Sequence, residues 1–374
     1  MIQNLNTKEA GRVLSAWTAL EVLSPQTFRK PEDVVAGDPN LIARLDRESL
    51  PWENGGETTA KNKKLFYQIV VGTVSMQKAK EALEKKYPQS KIDHSADPKP
   101  SESQAIIATF LVTREGRLVP DSIALSSFAW GVPQALAMHL KTLGFWTTIE
   151  RILLKIFNKA LCLRMTDEDD KQIPLDKDII EEVFFYLLKT FRLPIDMVEK
   201  PYFAIKTLES THKKDPPQPF ALLNSFYLQD LIQARNLVQR GQASHNLKQY
   251  LGMQNPTQRD DLLSGHMRLE EAVAPRLIPS ARWPSMKRHP LVLLQQAAVN
   301  LALNKLSDGG ILAINGPPGT GKTTLLRDVV ASLIAKRAEA MCTFDDPSLA
   351  FKPTGEKIKT GQGWMQLHRL DNKL

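Results

Sequence analysis

Apolar residues recur along this chain with helical spacing in some stretches and as short unbroken runs in others. At residues 7–23, Val13, Leu14, Trp17, Leu20 and Leu23 share one helical face, and Ser24-Pro25 ends the pattern. A polar, glycine-containing stretch follows, at about residues 30–64. Leu65-Phe66-Tyr67-Gln68-Ile69-Val70-Val71 predicts a strand, and residues 74–87, rich in Ala, Lys and Glu, predict a helix. Residues 88–103 read as a polar loop punctuated by Pro98 and Pro100. Residues 105–112 give the clearest β signal. Thr113-Arg114-Glu115-Gly116-Arg117 predicts a turn, and residues 118–128 predict a returning partner strand. Helical patterns recur at residues 133–159, 179–191 and 220–238, whereas residues 241–261 are polar and irregular in part.

The character changes near residue 277. Pro279, Pro284 and Pro290 punctuate a basic stretch, Arg282-Trp283-Pro284-Ser285-Met286-Lys287-Arg288-His289, which reads either as an interdomain linker or as a segment able to stack on a base and pair with phosphate. Residues 291–306 predict a helix closed by Ser307-Asp308-Gly309-Gly310. Ile311-Leu312-Ala313-Ile314-Asn315 predicts a short buried parallel strand, and Leu325, Leu326, Val329, Val330, Leu333 and Ile334 a helix. The expectation is an α/β protein. A mixed α+β region covers residues 1–280, divisible near residue 130, and a second unit covers residues 281–374.

Between that strand and helix stands Gly316-Pro317-Pro318-Gly319-Thr320-Gly321-Lys322-Thr323-Thr324, which satisfies G-x-x-x-x-G-K-[ST]. The glycines allow close backbone approach to phosphates. The loop N–H groups and the helix N-terminus present partial positive charge to an anion. Lys322 is the candidate catalytic residue, carrying full charge to the β- and γ-phosphates. The Thr323 hydroxyl is the candidate Mg²⁺ ligand, and residues 316–324 together form the candidate nucleotide cradle. Two other acidic stretches are not expected to supply the Walker B carboxylate. Residues 166–171 lie far upstream and read as a solvated loop. Phe344-Asp345-Asp346-Pro347 follows the loop helix too closely and carries a proline that disfavours a central strand.

Composition narrows the picture only a little. The 374 residues carry a net charge of +8, and 42% are hydrophobic, so a sizeable core is available and a polyanionic partner is permitted but not required. Cys162 and Cys342 cannot form a disulfide framework or a zinc site by themselves. No basic, then apolar leader opens the sequence, and no run is long and apolar enough to span a bilayer. The expectation is a cytoplasmic protein with no membrane partner, and a monomer is favoured.

Upstream of the loop, Gln295-Gln296-Ala297-Ala298-Val299-Asn300 lies on the predicted helix. Gln-x-x-Ala-Val on a helix, then a strand, then Gly-Pro-Pro-Gly-Thr-Gly-Lys-Thr, resembles superfamily 1 helicases, on the branch of the nonsense-mediated decay helicase (superfamily 1B). The likeness covers residues 282–340. It implies a RecA-like domain, ATP and Mg²⁺ as ligands, single-stranded DNA or RNA as partner, and movement 5′ to 3′. It also implies that Gln295 reads adenine, since an amide presents the donor and acceptor that the N6/N7 edge complements. Gln296 would point about 100° away around the helix. The family's Walker B carboxylates, nucleic-acid motifs and second motor domain with its arginine finger are not recognisable before Leu374. The chain is therefore expected to be the front part of a longer enzyme and to hydrolyse little ATP alone. Two alternatives remain: an AAA+ ATPase, which uses the same loop, and a nucleic-acid- or protein-binding module with a vestigial loop.

Overall fold

The computed structural model describes residues 4–25, 42–44, 49–53, 63–88, 103–169, 171–198, 203–210, 223–254, 262, 266–283, 290–306, 310–360 and 363–371. It is a mixed helix-and-strand protein in two compact units. One comprises residues 6–243, the other residues 244–374 with the first five residues of the chain.

The larger unit is built on a five-stranded sheet. It combines β1 (Ile42–Arg44), β2 (Lys64–Ser75), β3 (Gln104–Thr113), β4 (Ala124–Leu125) and β5 (Phe203–Ser210) in the order β1-β5-β2-β3-β4. Every pairing is antiparallel. In β2 every residue after Lys64 is buried, so both faces of the strand are covered. This explains its unbroken apolar run. Its one amide inside the sheet is satisfied across the strands: Gln68 Nε2 donates to Thr109 Oγ1 at 3.0 Å, and Thr109 Oγ1 donates to Ile69 O at 2.8 Å.

Helices enclose the sheet, several of them started by a side-chain cap. Asn6 and Glu9 form a reciprocal capping box on α1 (Thr7–Val22). Ser75 caps α2 (Met76–Lys86), Ser126 caps α3 (Ser127–Leu136), and Asp176 caps α6 (Lys177–Phe191). Between α3 and α6 lie α4 (Leu140–Leu143) and α5 (Trp146–Arg164), and α7 (Tyr227–Gln239) closes the unit. One core runs from Val22 to Leu228, with Tyr67, Trp146, Phe184 and Phe191 among its largest fully buried side chains.

One expectation changes, and two strands appear where the residues gave no strong signal. Residues 118–128 do not return as a full strand; only Ala124 and Leu125 pair with β3, and Leu118 makes an isolated bridge to Val112. The cause is local. The Ser122 hydroxyl donates to Val119 O at 2.7 Å and accepts from Leu111 N at 3.0 Å, and Asp121 sits at φ 55°. This turn uses a β3 amide that a partner strand would otherwise engage. The strands β1 and β5 carry no strong sequence signal, yet β5 pairs with β2 over eight residues. Acidic residues 167–169 form the exposed turn expected of them, with Lys171 paired to Asp169 at 3.3 Å.

Two predictions follow from this core. Gly72 has φ +69°, and a Cβ there would lie 2.4 Å from Phe184 Cε2. Left-handed strain and overpacking add, so Gly72→Ala should destabilise the unit by about 2–4 kcal/mol in denaturant unfolding. Gly241→Ala, with φ +71° and open space around the added methyl, should cost only about 1–2 kcal/mol. The second concerns Glu150 on α5, whose burial pushes its carboxyl up to about 7. The neighbouring polar group is the Asn224 amide, Nδ2 at 3.4 Å, which also donates to Leu125 O at 2.9 Å. A raised carboxyl favours the neutral form in the fold. Its contribution is therefore full at low pH and is lost as pH rises from about 4.5 to about 7. Stability should fall across that window by at most about 3 kcal/mol, and Glu150→Gln should flatten the slope.

Candidate nucleotide-binding site

The smaller unit holds α8 (His245–Tyr250), α9 (His266–Ala272), α10 (Leu293–Lys305), α11 (Lys322–Met341) and an antiparallel ribbon of β6 (Phe351–Thr360) and β7 (Gly363–Leu370). The two long helices pack through Val299, Leu303 and Leu325, joined by Leu291, Ala298 and Val329. Lys336 Nζ donates to Leu303 O at 3.3 Å beside this seam. The segment before α10 is tied to both helices. Arg282 donates to Gln296 Oε1, and Trp283 N donates to the buried Asp328 carboxylate at 2.9 Å. The rest of the basic stretch, residues 284–289, lies outside the described residues, as does most of the expected turn at 307–310.

Residues 311–315 depart from expectation. They have no regular secondary structure and join no sheet among the described residues, and Ile311 is 49% exposed. A parallel strand needs neighbours on its edges and layers on its faces. The described residues of this unit provide only the β6–β7 ribbon. Likewise Leu326, Val330, Leu333 and Ile334 form an exposed apolar stripe on α11, on a different side from Leu325 and Val329.

The loop itself, Gly316 to Gly321, delivers the chain into α11. Gly321 is the N-cap residue at φ 75°, with no side-chain cap on the helix. Pro317 O accepts from Thr320 Oγ1 at 2.8 Å, which tightens the turn. Lys322 Nζ donates to Gly316 O at 2.6 Å and to Pro317 O at 2.9 Å, so the loop wraps its own ammonium group. Lys322 and Thr323 are exposed, and Thr324 is half-buried in the same first turn. Pro318 and Gly319 form the outer bend, where a Cβ on Gly319 would meet nothing within 4 Å.

Gln295 reaches this loop from α10. Its Nε2 donates to Thr320 O at 2.8 Å, and its Oε1 accepts from Val292 N at 3.0 Å. A Cβ at Gly321 would lie 2.7 Å from that Nε2, so the absence of a side chain there lets the glutamine in. Gln296 turns elsewhere, donating to Asn300 Oδ1 at 2.7 Å and accepting from Arg282. The structure therefore brings together Gln295, Thr320 and Gly321 on one side of the loop and Lys322, Gly316 and Pro317 on another. The roles of Asp328, which accepts from Trp283 N, and of Asn300, whose Nδ2 donates to Ala272 O at 2.9 Å, are not apparent from the sequence pattern. Their signal is a polar residue placed on an otherwise apolar helix seam.

The residues present fit a nucleotide with its metal in one respect. Among the described residues, no three His, Cys, Asp or Glu side chains converge to hold a metal ion. The Thr323 hydroxyl is the donor available beside the loop, and a metal would have to come with phosphate oxygens of its own. Asp346 is not such a donor. Its carboxylate accepts from Ser348 N at 2.8 Å and caps a short 3-10 turn (Pro347–Ala350), and that hydrogen bond holds its carboxyl below the usual value.

The Gln295 tie has a measurable consequence. Gln295→Ala removes one hydrogen bond to the loop, worth about 0.5–1.5 kcal/mol. The backbone amides of Gly316, Gly319, Thr320 and Gly321 should then exchange hydrogen up to about tenfold faster by mass spectrometry, while those in the middle of α11 stay unchanged. Unaltered exchange in the loop would remove the case for the tie. No helix among the described residues is long and apolar enough to cross a membrane. Compared with known proteins, the chain matches no protein-family model, no curated protein and no solved structure.

Proposed function

We propose that the smaller unit binds MgATP through residues 316–324 and serves the nucleotide step of an ATP-driven nucleic-acid motor of the superfamily 1 type. The observation that carries this reading is the coupling of three parts at the head of one long helix. A glycine loop enters the helix without a side-chain cap, Lys322 stands in the loop with its ammonium on Gly316 O and Pro317 O, and Gln295 is bonded to Thr320 O.

The chemistry follows from charge. An incoming triphosphate offers the Lys322 ammonium oxygens of full negative charge in place of two neutral carbonyls, and charge-assisted bonds are about twice as strong. The loop N–H groups and the positive end of α11 add to the attraction. Bound Mg²⁺ would neutralise the phosphate charge, with Thr323 holding it. Gln295 is suited to adenine because its amide carries a donor and an acceptor side by side. Both are engaged without ligand, so reading the base requires the amide to exchange its bonds to Val292 and Thr320.

The apolar sequence of the run 311–315 and the apolar stripe of α11 suit a RecA-like setting. In such a domain that run is a sheet strand and that stripe is covered by the sheet. Asp346, the acidic residue nearest after α11 with a defined role, is engaged in capping its own 3-10 turn, so the chain is expected to bind nucleotide and to turn it over slowly.

A fluorescent ATP analogue tests the reading. It should bind in a Mg²⁺-dependent manner, and Lys322→Ala should weaken binding at least tenfold, consistent with loss of a charge-assisted contact worth about 1.5–3 kcal/mol. ATP should compete better than GTP, and Gln295→Ala should narrow that preference. Equal binding by wild-type protein and Lys322→Ala would refute the proposal.

A further inference from the structure

The β6–β7 ribbon follows the loop helix by one short turn and is exposed over most of its length. Its register settles which side chains share a face. Thr360 pairs with Gly363, Lys359 with Trp364, Ile358 with Met365, Lys357 with Gln366, and Pro353 with His368, across an irregularity between Pro353 and Lys357. Paired residues project to one side, and alternate residues along a strand do the same. One face therefore collects Lys357, Lys359, Trp364, Gln366 and His368, while Ile358 and Met365 lie on the other.

That face has three properties together. Among the described residues no carboxylate pairs with its lysines: Lys352 pairs with Asp371, and Glu356 sits in the irregular segment. Lys357 and Lys359, alternate residues of one strand, stand about 7 Å apart along it. Trp364, the partner of Lys359, is 70% exposed. Its large apolar ring is thus left in water beside positive charge. A two-stranded ribbon whose residues are mostly exposed is at best marginally stable alone. A ligand that stacks on the ring and neutralises the lysines would offset both costs.

We propose that this face of the ribbon is a single-stranded nucleic-acid site, with a base stacked on Trp364 and backbone phosphates on Lys357 and Lys359. Gln366 and His368 extend the polar track on the same side. Stacking on an aromatic ring is tolerant of base identity, and lysines read phosphate as point charges, so the site takes DNA or RNA strands without strong sequence preference. A duplex hides its bases and would lose the stacking half of the contact. An acidic protein would satisfy the lysines but leaves the ring without a flat partner. The choice of a nucleic acid rests in part on the motor reading above; the position of the site rests on the ribbon alone.

The full chain is titrated against fluorescein-labelled oligothymidylate and oligouridylate, and in parallel against the fluorescent ATP analogue. Wild-type protein should bind both kinds of ligand. Trp364→Ala should weaken oligonucleotide binding about tenfold. Lys357→Glu with Lys359→Glu should weaken it further and reduce the slope of log affinity against log salt by about 1.4, two single-strand phosphate contacts. None of these exposed positions should alter binding of the ATP analogue. Oligonucleotide affinity unchanged when Trp364→Ala, Lys357→Glu and Lys359→Glu are combined overturns the proposal, as does competition by polyglutamate equal to that by unlabelled oligonucleotide. Binding of ATP without any binding of oligonucleotide defeats the ribbon site and leaves the nucleotide reading standing. Oligonucleotide binding through the ribbon with no binding of ATP does the reverse.

Discussion

Burial of β2 on both faces is the constraint around which the larger unit is arranged. A strand whose side chains are all inside after the first residue needs a partner on each edge and a layer on each face. β3 and β5 supply the edges. The helices supply the covering, most visibly where Phe184 of α6 closes on Gly72 so tightly that a methyl group could not fit. The polar content of the sheet survives because it is paired: Gln68 and Thr109 satisfy each other inside it. Glu150 lies half-buried at the edge of this arrangement, and its raised carboxyl is the electrostatic consequence of dense packing around a group with few partners.

The smaller unit is organised differently. Its described core is a seam between two helices, and much of its apolar surface is outside that seam. What gives the seam its precision is a set of polar fasteners. Asp328 holds Trp283, Asn300 holds Ala272, and Gln295 holds Thr320. The first and the third join a helix to a segment with no regular structure of its own, and the second joins α10 to the end of α9. They fix where the glycine loop stands relative to α10, which matters more to a phosphate site than the total area buried. The same helix that presents the loop at its N-terminus leads, at its far end, to the ribbon, so the two candidate ligand surfaces belong to one continuous stretch of chain.

Parts of this protein could be read directly from residue order. Local signals worked where one physical cause dominates. The apolar face at residues 7–23 marks α1, the apolar run at residues 105–112 marks β3, and the glycine pattern before Lys322 marks a loop entering a helix. Residues 118–128 failed as a strand because one hydroxyl, Ser122, captured backbone groups that pairing would have used. β5 carries no clear local signal because its strandedness comes from the eight-residue match to β2, far away in sequence, and pairing energy is not encoded in either strand alone.

At the candidate site the division is just as definite. The sequence alone determined the chemistry on offer: the glycines, the ammonium of Lys322, the hydroxyl of Thr323, and an amide at Gln295 some distance upstream, because composition and spacing are properties of the chain. It equally determined the alternation that puts lysines and tryptophan within one short segment. Only tertiary structure decided that Gln295 and not Gln296 meets the loop, since which side of α10 faces α11 is set by the packing of Val299 and Leu303 on Leu325. Only register decided that Lys357, Lys359 and Trp364 stand on one face of the ribbon, because a slip of one residue would have sent them to opposite sides.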